Sequence, residues 1–193
     1  MIRCYTPENA KPIPQQATKV FAGTIYDVYQ WEQAMFDGST KTFEMLKRPD
    51  TVEVIGVVDG KILLNDELQP DRTERFLAIP GGRHDEPEED ELQAAKREMR
   101  EETGYEFQNW KLVAASQDQP KIDRIVYVFL ATDPITQGEQ QLDAGEQITV
   151  REMSLDEIQN YDSEPELLFC PNILKAVDSL EALLTLPALH NYE

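Results

Sequence analysis

Three carboxylates, Glu98, Glu101 and Glu102, crowd the segment Arg97-Glu98-Met99-Arg100-Glu101-Glu102. On a helix, residues three and four apart are neighbours, so Glu98 would share a face with both Glu101 and Glu102. Acids gathered in the C-terminal half of a helix repel one another and meet the negative end of its dipole. Such a cluster needs a compensating cation, and hard oxygen ligands suit Mg²⁺ or Mn²⁺. Arg97, one turn before Glu101, can also hold that carboxylate in place. The competing reading is a solvated charged face, the ordinary fate of a run such as Lys96–Glu102. Two features count against it. Pro80-Gly81-Gly82 lies upstream, where glycines let backbone approach a ligand closely. Gly104 follows at the place of a C-terminal cap.

The elements that must position these acids can be read outward from them. Asp90 is a capping residue, with Gln93 as its reciprocal partner, for a helix over Asp90–Thr103. Leu92, Ala95 and Met99 give that helix one apolar face. An acidic loop, Arg83–Glu89, precedes it, after a short strand Arg75–Ile79 closed by the Pro-Gly-Gly run. Thr51–Val58 and Lys61–Leu64 read as strands joined by a hairpin turn at Asp59-Gly60. Lys111–Ser116, Ile125–Ala131 and Gln147–Met153 are further strands, and the second is apolar enough to be central. Ser154 and Glu157 form another capping box. Pro171 starts a last helix, with Ile173, Leu174, Val177, Leu180 and Leu184 as its buried stripe. Toward the N-terminus, residues 1–19 carry three prolines and read as an extended arm. Val20–Trp31 reads as one strand and Thr42–Lys47 as another, with a turn at Asp37-Gly38. This two-stranded unit is marginal alone and must pack on the rest of the chain or on a second copy. The chain therefore divides into an arm and β unit at 1–47 and a mixed α/β domain at 48–193.

The run Arg97–Tyr105 resembles the second half of the Nudix box, R-E-U-x-E-E-x-G-U with U bulky and apolar, at every fixed position. Glu89 precedes Arg97 by the family's seven-residue gap. Gly82 has the family's five-residue spacing to Glu88 instead, as a one-residue loop insertion would produce. Glu88 and Glu89 both remain candidates for the first acid. The resemblance implies an α/β/α sandwich with a mixed sheet and an N-terminal β extension. It implies an enzyme that uses Mg²⁺ or Mn²⁺ to hydrolyse the pyrophosphate of a nucleoside diphosphate linked to another group. Glu98, Glu102, Glu89 and the carbonyl of Gly82 would then hold metal, with Glu101 and Arg97 assisting catalysis. Glu146, a loop acid before a strand, is the candidate general base, and an ordinary surface acid is its alternative reading.

Pro120, fifteen residues after Tyr105, and the N-terminal β unit resemble the ADP-ribose pyrophosphatase branch. That resemblance implies ADP-ribose or a related nucleotide sugar as substrate and a homodimer as the assembly. Arg72 and Arg75 are candidates for gripping its phosphates. Rings within Phe21–Trp31 can clamp a base or simply pack, and His84 can touch substrate or face solvent. Two alternatives stay open: a nucleoside triphosphate pyrophosphohydrolase, and a nucleotide sensor without turnover. The sensor sits poorly with four retained box acids, and the extension with a house-cleaning enzyme.

The formal net charge of −19 excludes the basic footprint that nucleic acid or an anionic membrane requires. It also makes a cation valuable wherever a phosphate must bind. The N-terminus lacks the apolar core of a signal peptide, and no membrane span is present, so a cytoplasmic setting is expected. Cys4 and Cys170 lack metal-motif spacing and are expected to be reduced thiols.

Overall fold

Nearly continuous apolar runs in the central strands dictate a sheet covered on both faces. The computed structural model describes residues 2–117, 119–161 and 171–192. Strands β1 (Thr18–Ala22), β2 (Asp27–Ala34) and β3 (Thr40–Lys47) form an N-terminal meander. Next come β4 (Asp50–Val58), β5 (Lys61–Leu68), β6 (Phe76–Ala78) and β7 (Gly81–His84), then helix α1 (Glu91–Thr103). The chain continues through β8 (Tyr105–Ser116), β9 (Ile122–Asp123), β10 (Val126–Gln137) and β11 (Gln147–Met153). It closes with the short helices α2 (Leu155–Gln159), α3 (Pro171–Ala176) and α4 (Leu180–Leu184).

The main sheet runs β11-β5-β4-β10-β8, with β6 paired to β5 and β7 to β4. β10 lies parallel to β4 and antiparallel to β8, so the sheet is mixed. In β10, Tyr127 and Phe129 enter one buried cluster with Met99 of α1, while Val128 and Leu130 enter another with Leu155, Leu174 and Leu183. β4 divides the same way, Val52 and Val54 against Ile55 and Val57. The period of two in each strand thus feeds two cores, one under α1 and one under α2–α4, as in an α/β/α sandwich.

A second sheet, β1-β2-β3-β9, holds the N-terminal meander. It docks through the parallel β3–β9 pair and buries Trp31 and Met45. The arm before it is pinned by Arg3, which pairs with Asp50 at 2.6 Å and Asp123 at 3.0 Å.

Several expectations need correction. Val20–Trp31 is not one strand: it breaks at Gly23, whose N–H donates to Tyr26 O at 3.1 Å in a turn between β1 and β2. The acidic loop begins later than Arg83, because Gly81–His84 pairs with β4. The last helix is two: Ser179 leaves helical geometry, and its hydroxyl accepts from Ala182 N at 3.1 Å to cap α4. β8 and β10 run beyond the expected Lys111–Ser116 and Ile125–Ala131 because Tyr105–Asn109 and Thr132–Gln137 pair with each other. Cys170 lies outside the described residues, and Cys4 is an exposed thiol. Among the described residues, no helix is long and apolar enough to cross a membrane.

Candidate active site

Helix α1 carries its acids to one place because its other face is buried. Ala94, Ala95 and Met99 are fully enclosed against the sheet. Asp90 caps the first turn by accepting from Gln93 N at 2.7 Å, and Gln93 returns a bond to Asp90 N at 2.9 Å. Gly104 ends the helix at φ 75° and donates to Arg100 O at 2.9 Å. A β-carbon there would also lie 2.2 Å from Gly138 O, so only glycine fits.

Arg97 is the centre of the carboxylate cluster. Its Nε and Nη2 donate to the two oxygens of Glu89 at 3.1 and 3.2 Å. Nη1 donates to Glu98 Oε1 at 2.7 Å and to Glu101 Oε2 at 3.2 Å, and Nη2 also reaches Arg83 O at 3.0 Å. One guanidinium therefore gathers three acids, a planar fork that lysine cannot reproduce. Glu89 rather than Glu88 joins this cluster. Glu88 takes the left-handed backbone conformation, φ 64°, that a one-residue loop insertion can require.

Glu98 and Glu102 differ from the others in being desolvated. Burial pushes the Glu98 carboxyl up to about 7, with Glu101 and Glu146 adding to the rise and Arg97 opposing it. Burial also lifts Glu102 well above the usual range, Glu98 adding to it, although Gly81 N at 2.7 Å and Asn65 Nδ2 at 2.9 Å both donate to its Oε2. Asn65 leaves its own Oδ1 buried without a partner. Gly82 lies against Glu98: a β-carbon there would stand 2.5 Å from Glu98 Cδ. The Pro-Gly-Gly turn thus brings backbone against the helix acids with no side chain between.

Among the described residues, no three acids already converge as a metal cage. The donor set nonetheless fits a hard divalent ion: clustered carboxylate oxygens, two of them protonated more readily than usual, with the Gly82 backbone directly against Glu98. Glu98, Glu101 and Glu102 floor a cleft of about 580 Å³ that also includes Arg48, Arg72, Arg83, Glu53, Glu67 and Glu146, while Glu89 holds Arg97 from outside its lining. Glu146 sits in the loop before β11, where its Oε2 accepts from Asp143 N at 3.1 Å. Arg72 stacks on Phe76, 4.2 Å from the ring centre.

Not every expected residue arrives. Arg75 does not line this cleft; it pairs with Asp66 at 2.6 Å and reaches Gln147 O at 3.2 Å, tying β5 to β11. Pro120 does not line it either, and lies in the turn before β9. His84 is no solvated loop residue but is fully buried, with Nε2 against Glu89 O at 2.8 Å. Trp31 packs on Phe43 with ring centres 5.2 Å apart and takes no part in the cleft. Conversely, Asn65, Arg48 and Glu53 were missed. Glu53 was visible as a lone acid within Val52–Val58; Arg48, before a proline, left no comparable mark. Arg48 stands where the cleft meets a side cavity of about 290 Å³ lined by Ile25, His84 and Asp85, with Tyr26 at 5.6 Å from its guanidinium.

The NUDIX domain model matches residues 47–169 of this chain. An ADP-ribose pyrophosphatase of Bacillus subtilis (strain 168) is 31% identical over 142 residues, covering 72% of this chain and 76% of that protein. A methanol dehydrogenase activator of Bacillus methanolicus is 25% identical over 153 residues, covering 77% and 82%. In three dimensions the chain resembles an ADP compounds hydrolase with a TM-score of 0.67 at 19% identity, over 88% of this chain and 92% of the other. A NUDIX hydrolase from Nitrosomonas europaea aligns with a TM-score of 0.56 at 24% identity, over 75% and 97%. A carboxylate-lined cleft on an α/β/α sandwich and a box-bearing helix meet here in the segment these relatives share, and the chain belongs to the NUDIX family as a pyrophosphohydrolase.

Proposed function

We propose that the chain hydrolyses ADP-ribose or a related nucleotide sugar in a reaction that requires Mg²⁺ or Mn²⁺, giving a nucleoside monophosphate and a sugar phosphate. The observation that carries this reading is the gathering of Glu98 and Glu101 on Arg97, itself braced by Glu89, beside buried Glu102 in a cleft that also presents Arg48 and Arg72. The similarity to an ADP-ribose pyrophosphatase supports the choice of substrate.

Glu98, Glu102, Glu89 and the Gly82 carbonyl would hold the metal. When bound, a divalent ion neutralises the diphosphate and acidifies the attacking water. The protein's own groups do the rest. Arg97 keeps three of the acids from flying apart. Glu101, the most exposed partner of Arg97, can orient water at the cluster's rim. Glu146 takes the proton as water attacks phosphorus and the anhydride P–O bond breaks. The proximity of Glu146 is felt by Glu98, Glu102 and Glu67, each of whose carboxyls it helps to raise. Arg48 and Arg72 offset the diphosphate charge within an acidic protein.

The N-terminal unit supplies Ile25 to the cleft, which supports its role as a substrate cap. Its exposed Val20 and Phe21, with Tyr26 nearby, support a homodimer built on this face. Light scattering on the chain and on Phe21→Glu checks the assembly.

A panel assay tests the substrate. Nucleoside monophosphate release is measured from ADP-ribose, other nucleotide sugars, dinucleoside polyphosphates and nucleoside triphosphates, with Mg²⁺ or Mn²⁺. Glu98→Gln and Glu102→Gln should each lower kcat by orders of magnitude with the fold intact. Retained turnover in both variants rejects the metal assignment, and preference for triphosphates rejects the substrate.

A further inference from the structure

Glu91 occupies the first turn of α1, in the gap between Glu89 and Arg97 whose residue types the box leaves unspecified. An exposed acid would serve the helix dipole there. Glu91 is instead fully buried. Its Oε2 accepts from Cys4 N at 3.0 Å, and its Oε1 accepts from Tyr5 N at 2.7 Å and from the Tyr192 hydroxyl at 2.9 Å. One carboxylate therefore binds the N-terminal arm and the C-terminal segment to the head of the box helix.

The arm held in this way reaches the site. Ile2 N donates to the Glu89 carbonyl at 2.8 Å, and Ile2 bridges to Asp90. His84 Nε2 meets the same carbonyl at 2.8 Å. The arm has further anchors: Arg3 grips Asp50 through Nε and Nη2, and Tyr127 donates its hydroxyl to Tyr5 O at 2.8 Å. Burial lifts the Tyr127 and Tyr192 phenols, so both remain protonated donors. Glu89 lies between Glu88, whose backbone is left-handed, and the capped head of α1 at Asp90.

We infer that Glu91 is a positioning residue for Glu89: through the arm it clasps, it fixes the backbone from which Glu89 reaches the metal-binding cluster. The inference rests on the proposed metal role of Glu89. The path is continuous, from the Glu91 carboxylate to the amides of Cys4 and Tyr5, along the arm to Ile2 N, and from there to the carbonyl of Glu89. Tyr192 is its second brace.

Mn²⁺ binding by the whole chain, read from the electron paramagnetic resonance of free Mn²⁺, tests this without turnover. Glu91→Gln places an amide N–H₂ among backbone donors and should weaken binding about tenfold, the scale of outer-shell effects. Tyr192→Phe, a gentler change that serves if Glu91→Gln fails to fold, should weaken it in the same direction. The decisive comparison is the double variant with Glu89→Gln: with Glu89 already disabled, the second change should cost nothing further. Wild-type binding in the single variants overturns the inference, and so do additive losses, which would mean an effect that bypasses Glu89. A wild-type chain that binds no Mn²⁺ sinks the metal reading itself, and the clasp's role with it.

Discussion

Replacing Glu98 by glutamine should stabilise the metal-free protein while destroying its activity. The reason lies in the burial that lifts the Glu98 carboxyl from 4.5 to about 7. In the unfolded chain that carboxyl ionises near its ordinary value. In the fold it holds its proton longer, so the native state is favoured at low pH. The advantage is complete below about 4.5, erodes as pH rises, and is gone above about 7. The difference corresponds to about 3 kcal/mol across that window. Glutamine has the same shape and no charge, so at pH near 8 the variant avoids this penalty. Loss of the 2.7 Å bond from Arg97 offsets part of the gain, leaving about 1–2 kcal/mol. For a chain of this size that is a rise in Tm of about 3–6 °C. Thermal melts with a chelator at pH 5 and pH 8 provide the measurement: the variant should gain over wild type at pH 8 and not at pH 5. Added Mg²⁺ should raise wild type and leave the variant where it was. A variant less stable than wild type at pH 8 with chelator refutes the reasoning, because Glu98 would then be stabilised by its partners more than it is penalised by burial.

Other outcomes follow from the same geometry. Mg²⁺ activation should weaken as pH falls below about 7, because Glu98 must lose its proton to ligate; an activation constant flat from pH 8 to 6 contradicts this. Gly82→Ala should fold yet lose at least about tenfold in kcat, since its β-carbon would displace the Glu98 carboxylate. Arg97→Lys should destabilise the metal-free protein by about 2 kcal/mol in urea unfolding, because a point charge cannot serve Glu89, Glu98 and Glu101 together. Asn65→Ala should weaken Mg²⁺ activation about tenfold without altering KM for the proposed substrate, ADP-ribose, since Asn65 donates to Glu102.

The geometry of α1 was legible from residue order alone, because everything it needs is local. Glu98, Glu101 and Glu102 share a face through helical periodicity, Asp90 and Gln93 cap through neighbouring backbone, and Gly104 stops the helix through its own φ. The nearly continuous apolar runs of β4 and β10 likewise announced a sheet buried on both sides. What periodicity could not supply was anything depending on distant partners. Glu89 was distinguished from Glu88 only when Arg97 closed on it across the loop. Arg72 and Arg75 looked equivalent in sequence, and the sheet decided between them by pairing Arg75 with Asp66 outside the cleft. Asn65 under Glu102, Arg48 at the cleft's side cavity and Glu91 beneath the two terminal segments were each determined by tertiary packing. A buried polar group takes its meaning from whatever satisfies it, and those partners lie beyond the reach of local periodicity, eight or nine residues away for Glu89 and Arg75 and 37 and 101 for Asn65 and Glu91.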